Sequence, residues 1–384
     1  MPLITDYAAH NEEVRQVWEA FHAGHPTRTP MILGISAQFT LMHPGANPQG
    51  FSYGQYMDDP ETMLQHQLAR AYWIRHEAPQ DAEMGMPNDW RIYPDGQNIY
   101  EAGWLGAHVV IADDGPPFAE TALTEETKWS ILERGIPDAF EGYWAEWNME
   151  RYEYFRRRCD EGLEFHGKPV VADPPCGLGT DGPFTVAYQL RGATELCTDI
   201  YADPEYFHAL MGLVTEGAIS RMKALRRFLG QPEESRAWGF ADDAIQMLSI
   251  PTYLEHILPY HRRLTDEFGA DGPNGIHLCG DTTHLFRTIR DELKVNSFDT
   301  GFPVDFGWLR KELGPDVTIK GGIPCSLLRY GSPDDIDAET ERIMNTGVRE
   351  GGKFMFSEGN NVAPYTPLAN LEAMYLACKK YGAY

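Results

Sequence analysis

Residues 251–300 read PTYLEHILPYHRRLTDEFGADGPNGIHLCGDTTHLFRTIRDELKVNSFDT. The spacing predicts a helix over about 251–268, then a short apolar strand, Gly275-Ile276-His277-Leu278-Cys279, then a second strand at Val295-Asn296-Ser297-Phe298. The same alternation extends both ways. A helix over about 137–161 precedes Pro169-Val170-Val171-Ala172, and one over about 203–229 precedes Ala237-Trp238-Gly239-Phe240. Val317 to Lys320 and Lys353 to Phe356 are the last strand candidates. Strands alternating with helices imply parallel pairing through right-handed crossovers. With the early apolar run Met31 to Ile35 the count approaches eight, so the expected fold is α/β, a (β/α)8 TIM barrel.

The N-terminal third is less regular. Asn11 to His22 and about 59–76 have helical periodicity. Residues 85–125 hold short strand-like runs, Trp90 to Tyr93, Ile99 to Glu101 and His108 to Ile111, with Asp95-Gly96 and Asp114-Gly115 as turns. They read as an antiparallel insertion within a single domain over 1–384. No repeat, linker or low-complexity tract interrupts it.

The 384 residues carry a formal charge of -25, with 42% hydrophobic and 23% charged residues. That supports a full core, and the acidic field excludes nucleic acid and anionic lipid as partners. No apolar run reaches the roughly 20 residues of a membrane span, and the N-terminus lacks the basic and apolar regions of a signal peptide. The six cysteines are scattered and do not read as a disulfide framework, so a reducing cytoplasm is expected.

Most strands end in polar or Gly/Pro punctuation: Asp173-Pro174-Pro175-Cys176, Asp242-Asp243, His277 with Cys279, Asp299, Gly321 to Cys325, and Ser357-Glu358-Gly359-Asn360-Asn361. In a barrel these ends converge on the face where chemistry is done. His277 and Cys279 are two apart and share one side of their strand. Imidazole and thiolate are zinc donors, and a catalytic zinc site leaves one position open. The spacing leaves a core histidine beside a buried cysteine equally open. Cys325 is the first candidate for a third ligand and Glu358 the second, ahead of Cys176 and Asp242. Cys159 and Cys378 lie on helices and His284 one turn past the motif. Asp242 and Asp243 are candidate proton acceptors or anchors, with helix capping as the alternative for one of them.

From about residue 170 onward, the order of motifs resembles the uroporphyrinogen decarboxylase superfamily. The stretches that carry the resemblance are Asp181-Gly182-Pro183-Phe184, Gly192 to Glu195, Asp199 to Glu205, Asp243, His277 to Asp281, Gly321 to Pro324, Tyr330 to Ile336, and Gly359 with Ala363 to Leu371. Arg28-Thr29-Pro30 matches more loosely. Porphyrinogen decarboxylases of this superfamily have an arginine-rich segment near the N-terminus. The equivalent Gly34-Ile35-Ser36-Ala37-Gln38-Phe39 has no arginine. Resemblance to the corrinoid-dependent methyltransferases, including methylcobamide:coenzyme M enzymes, instead implies a zinc held by His277, Cys279 and a distant cysteine. In those enzymes that cysteine follows the last strand, where this chain has Asn360 and Asn361, so the third ligand is Cys325, Glu358 or another residue, or the zinc site is altered. The implied activity is methyl transfer between a small methylated substrate, such as an aromatic methyl ether, and the cobalt of a corrinoid. The alternatives are methylation of a thiol and uroporphyrinogen decarboxylation. No D-x-H-x-x-G segment is present, so the corrinoid would come on a separate carrier protein. A homo-oligomer is compatible with the resemblance.

Overall fold

The computed structural model describes residues 2–113, 115–235 and 237–384. Ten strands lie in chain order: β1 (Trp90–Ile92), β2 (Val109–Val110), β3 (Phe118–Ala119), β4 (Glu164–Phe165), β5 (Lys168–Ala172), β6 (Trp238–Ala241), β7 (Asn274–Leu278), β8 (Val295–Thr300), β9 (Thr318–Ile323) and β10 (Phe354–Glu358). Strands β6 to β10 form one parallel sheet in sequential order, and β1 pairs in parallel with β5. Met31 bridges Phe356 in parallel, which adds the first extended segment beside β10. These eight strands, with helices such as Pro204–Phe228 and Leu258–Phe268 between them, make the expected (β/α)8 barrel. Among the described residues, no helix is long and apolar enough to cross a membrane.

Alternation decides which side chains face the helices. Trp238 of β6 stacks near Phe268, Phe240 meets His261, and Phe298 of β8 meets Phe286. Ile276 and Leu278 of β7 are buried on that side. Gly239, Gly275 and His277 are therefore left facing the barrel interior. Strand β8 joins this register only through a shift. Asn274 pairs with Val295, but Gly275 pairs with Ser297, so one residue of β8 is skipped. Such an irregularity re-aims the residues after it. Here it turns Ser297 and Asp299 inward beside Gly275 and His277.

Two expectations change. Trp90 to Tyr93 does not belong to an insertion. Trp90 and Ile92 are buried, and their strand pairs with Val170 and Ala172. The run at 99–101 is helical (Tyr100–Trp104). Asp95 directs this, because its carboxylate takes the Tyr56 hydroxyl (2.7 Å) and the Gln97 amide (3.4 Å) rather than closing a hairpin. Within 85–125, β2 and β3 pair antiparallel. Asp114, in the expected turn between them, lies outside the described residues.

The first strand is also shorter than Met31 to Ile35. Its amides go to side chains: Met31 N to Asp81 (2.7 Å), Leu33 N to Gln80 (3.0 Å), and Gly34 N to Glu358 (2.8 Å). These contacts fasten the N-terminal segment where a ladder would otherwise run. Behind them Arg28 grips buried Asp81 with two bonds of 2.6 Å. Replacing Arg28 by Met leaves that carboxylate buried without its cation. Denaturant unfolding of Arg28→Met should therefore show a loss of about 3–5 kcal/mol, and a loss under about 1 kcal/mol would refute the role assigned to the pair.

Candidate functional site at the barrel mouth

His277 points inward from the end of β7. Its Nε2 lies 3.0 Å from Cys279 Sγ and 3.9 Å from Asp243 Oδ1. Asp243 opens the short 3-10 segment Asp243–Met247 after β6 and accepts the Cys279 amide at 2.6 Å, which ties the ends of β6 and β7 together. On its other side, His277 Nδ1 lies 3.1 Å from Asp299 Oδ2, and Lys320 donates to that same oxygen at 3.0 Å. The row follows the sheet register, in which His277 pairs with Asp299 and Asp299 with Lys320.

Burial works against a charged imidazole at His277, but hydrogen bonds to Asp299 and Cys279, and their charges, lift its pKa to about 10. Burial raises the Asp243 carboxyl and the Cys279 thiol. At Asp299 burial acts upward too, yet His277 and Lys320 hold it below the ordinary carboxylate value.

One oxygen, one nitrogen and one sulfur donor, from Asp243, His277 and Cys279, lie within 4.8 Å of one another. Bond lengths of about 2.0 Å to nitrogen and about 2.3 Å to sulfur at tetrahedral angles place zinc ligands roughly 3.5 Å apart. The separations of 3.0 and 3.9 Å bracket that spacing. Asp299 behind the imidazole is the usual orienting carboxylate of a metal-bound histidine. These three side chains fit a metal with a fourth position open.

The structure brings His277 and Cys279 together and adds Asp243 to them. Pro324 ends β9, so Cys325 starts the helix Cys325–Tyr330 instead of continuing the strand's alternation. Its thiol meets the Asn361 carbonyl at 3.2 Å. Burial, with Glu358 and Cys279 nearby, pushes it up to about 11. Asp242 turns away from the mouth. Its buried carboxylate accepts the Phe184 amide (3.0 Å), the Thr185 amide (2.8 Å) and hydroxyl (2.7 Å), and sits 2.8 Å from His261 Nε2. That makes it an anchor, not an acid facing the cavity. Cys176 packs against Gly96 and Tyr100 and is pushed up to about 12, chiefly by burial. His284 holds the Leu248 carbonyl at 2.7 Å.

Two parts of the mouth carry no assignment from sequence. Lys320 has no motif and is found only through the register. Asp181 is half-buried near Asp243, and desolvation with Glu101 and Asp243 pushes it up to about 7. Its loop is held by the Asp181 amide on Glu101 (2.6 Å), by the Arg221–Glu101 ion pair (2.6 Å) and by Arg221 on the Gly179 carbonyl (2.7 Å). The Asp-Gly-Pro-Phe run was the only sequence signal for it.

Fold and mouth together define a (β/α)8 barrel with a three-donor, metal-competent cluster at the carboxyl ends of its strands. The family model for uroporphyrinogen decarboxylase (URO-D) matches residues 172–381, more than half of the chain, and the chain belongs to that family. A methylated-thiol–coenzyme M methyltransferase of Methanosarcina mazei is 30% identical over 206 residues, covering 52% of this chain and 51% of the relative. A methylcobamide:CoM methyltransferase of Methanosarcina acetivorans is 23% identical over 52% of this chain and 56% of its own. A uroporphyrinogen decarboxylase of Anaeromyxobacter dehalogenans is 28% identical over 52% and 57%. The chain thus spans about half the length of the curated relatives it matches. A solved methyltransferase from Methanosarcina mazei has the same fold, with a TM-score of 0.65 at 15% identity over 96% of this chain and 98% of its own.

Glu358 generates a pH prediction. Its Oε1 accepts the Gly34 amide, its Oε2 is buried without a partner, and burial pushes its pKa from 4.5 up to about 7. Between those values the unfolded chain is ionised while the folded chain keeps its proton. The group's contribution is therefore fully present below pH 4.5 and is lost as pH rises to about 7, a change of about 3 kcal/mol. In chemical denaturation across that window, Glu358→Gln should decline less with pH than the wild type. Parallel curves would show that Glu358 is ionised in the folded protein.

Proposed function

We propose that this protein transfers a methyl group between a small methylated substrate and the cobalt of a corrinoid carrier protein, with an aromatic methyl ether as the methyl donor. Asp243, His277 and Cys279 hold a zinc ion in this reading. The observation that carries it is the make-up of that cluster. A carboxylate where a second thiolate would make the metal softer gives a harder, more electrophilic zinc, suited to polarising an ether oxygen. The similarity to two methyltransferases acting on coenzyme M supports methyl transfer as the reaction class.

The protein's own groups have distinct parts. Asp299, braced by Lys320, holds His277 in the tautomer that leaves Nε2 facing Cys279 and Asp243. Asp242 positions the Asp181 loop and the start of helix Pro183–Arg191. Asp181, whose pKa burial raises to about 7, supplies in this reading the proton to the oxygen that loses its methyl group. Glu358 keeps a second proton behind Gly34.

A second reading, with a methylated thiol as substrate, is favoured by the name of the relative at 30% identity. Incubation with a Co(I) corrinoid carrier, a panel of methyl ethers and a methylated thiol separates the two, because cobalt methylation changes the visible spectrum. Ethers should serve as donors. A spectrum that moves only with the thiol donor would select the second reading. Release of carbon dioxide from uroporphyrinogen, with no cobalt methylation, would overturn both.

The metal assignment has its own measurement. Purified protein should hold about one zinc per chain. His277→Ala, Cys279→Ser and Asp243→Ala should each lose most of it, whereas Cys325→Ser should keep it. Loss of zinc in Cys325→Ser with retention in Asp243→Ala would restore Cys325 as the third ligand.

A further inference from the structure

The interior of a (β/α)8 barrel is ordinarily filled by layers of branched apolar side chains. Below His277 it is not. Gly239, Gly275 and Ser297 sit side by side on β6, β7 and β8, one inward position deeper than the row that carries His277 and Asp299. They line an open hollow of about 330 Å³ that Phe240, Ile276, His277 and Asp299 also border. At about 30 Å³ per water-sized unit, that is room for roughly ten non-hydrogen atoms.

Glycine at 275 answers no need of the backbone. Its φ lies outside the left-handed region, and an added Cβ would meet only Ser297 O at 3.6 Å and Ser297 Cβ at 3.8 Å, ordinary contacts. Glycine inside a strand weakens it and commonly marks a place where another group comes close. What it supplies here is empty space directly under the donor cluster. Gly239 pairs with Gly275 across the ladder, so two neighbouring strands present bare peptide planes. Neighbouring strands are about 4.8 Å apart, which makes a flat floor wide enough for one planar ring. Half-buried Ser297 stands at the edge of that floor.

We infer that Gly239, Gly275 and Ser297 form the substrate chamber and select a planar aromatic ring of about ten non-hydrogen atoms, seated on the glycine floor with its methylated oxygen toward His277 and Cys279. A polar ring substituent faces Ser297. The inference rests on the methyl-transfer reading for the orientation of the ring but not for its binding.

The probe is 2-methoxyphenol, followed both by calorimetry on the zinc-loaded protein and by cobalt methylation against methanol as a donor too small to need the floor. Wild type should bind 2-methoxyphenol. Gly275→Val should keep its zinc and weaken that binding by about tenfold or more. Its methylation rate with 2-methoxyphenol should fall by a similar factor relative to methanol. Ser297→Val, which narrows the chamber from β8, should act in the same direction, and it decides the matter if Gly275→Val does not fold. Unchanged binding in both variants, or no binding by wild type, overturns the chamber. Binding that is lost in the variants while wild type methylates cobalt from no donor sustains the chamber and sinks the methyl-transfer reading instead.

Discussion

The mouth of this barrel depends on the carboxylate of Asp242. It is fully buried at the end of β6, and a buried charge is tolerated only when its lone pairs are satisfied. Phe184, Thr185 and His261 satisfy them. The consequence reaches across three elements. The start of helix Pro183–Arg191 is drawn onto β6, helix Leu258–Phe268 is held by its inward histidine, and the loop carrying Asp181 is brought down beside the mouth. Gly182 is required at this junction, because a Cβ there would fall 2.2 Å from the Ala241 carbonyl oxygen.

Fixing Asp242 outward also determines its neighbour. Successive residues leaving a strand point to opposite sides, so Asp243 is turned inward, where it takes the Cys279 amide and approaches His277. Two adjacent acids that look equivalent in the sequence thus divide into a structural anchor and a member of the donor cluster. The electrostatics follow from the same placement. Asp299 has a cation on each side and is held low, whereas half-buried Asp181 and buried Glu358 lie near other carboxylates and are held high. One mouth therefore has both a carboxylate held low and carboxyls that titrate near neutral pH.

The N-terminal part of the barrel closes by different means. Its first strand keeps ladder bonds to β10 through Pro30 and Ile32 but gives its Met31, Leu33 and Gly34 amides to the side chains of Asp81, Gln80 and Glu358. The helical start after Asp95 likewise comes from a side chain competing for backbone groups. Such substitutions leave the hydrophobic pattern unchanged, which explains why Met31 to Ile35 reads as a longer strand and the run at 99–101 reads as a strand at all.

By itself the sequence determined the alternation of strand and helix, hence the barrel, and the pairing of His277 with Cys279, because both rest on local periodicities of 3.6 and 2. It also marked the strand ends where polar residues gather. Which of those residues meet was decided by the tertiary structure. Cys325 begins a helix because Pro324 ends its strand. Asp243 joins the pair through a contact between β6 and β7. Asp299 and Ser297 face inward only because β8 skips a residue against β7. That shift belongs to the pairing of two strands, and no property of either strand alone reveals it.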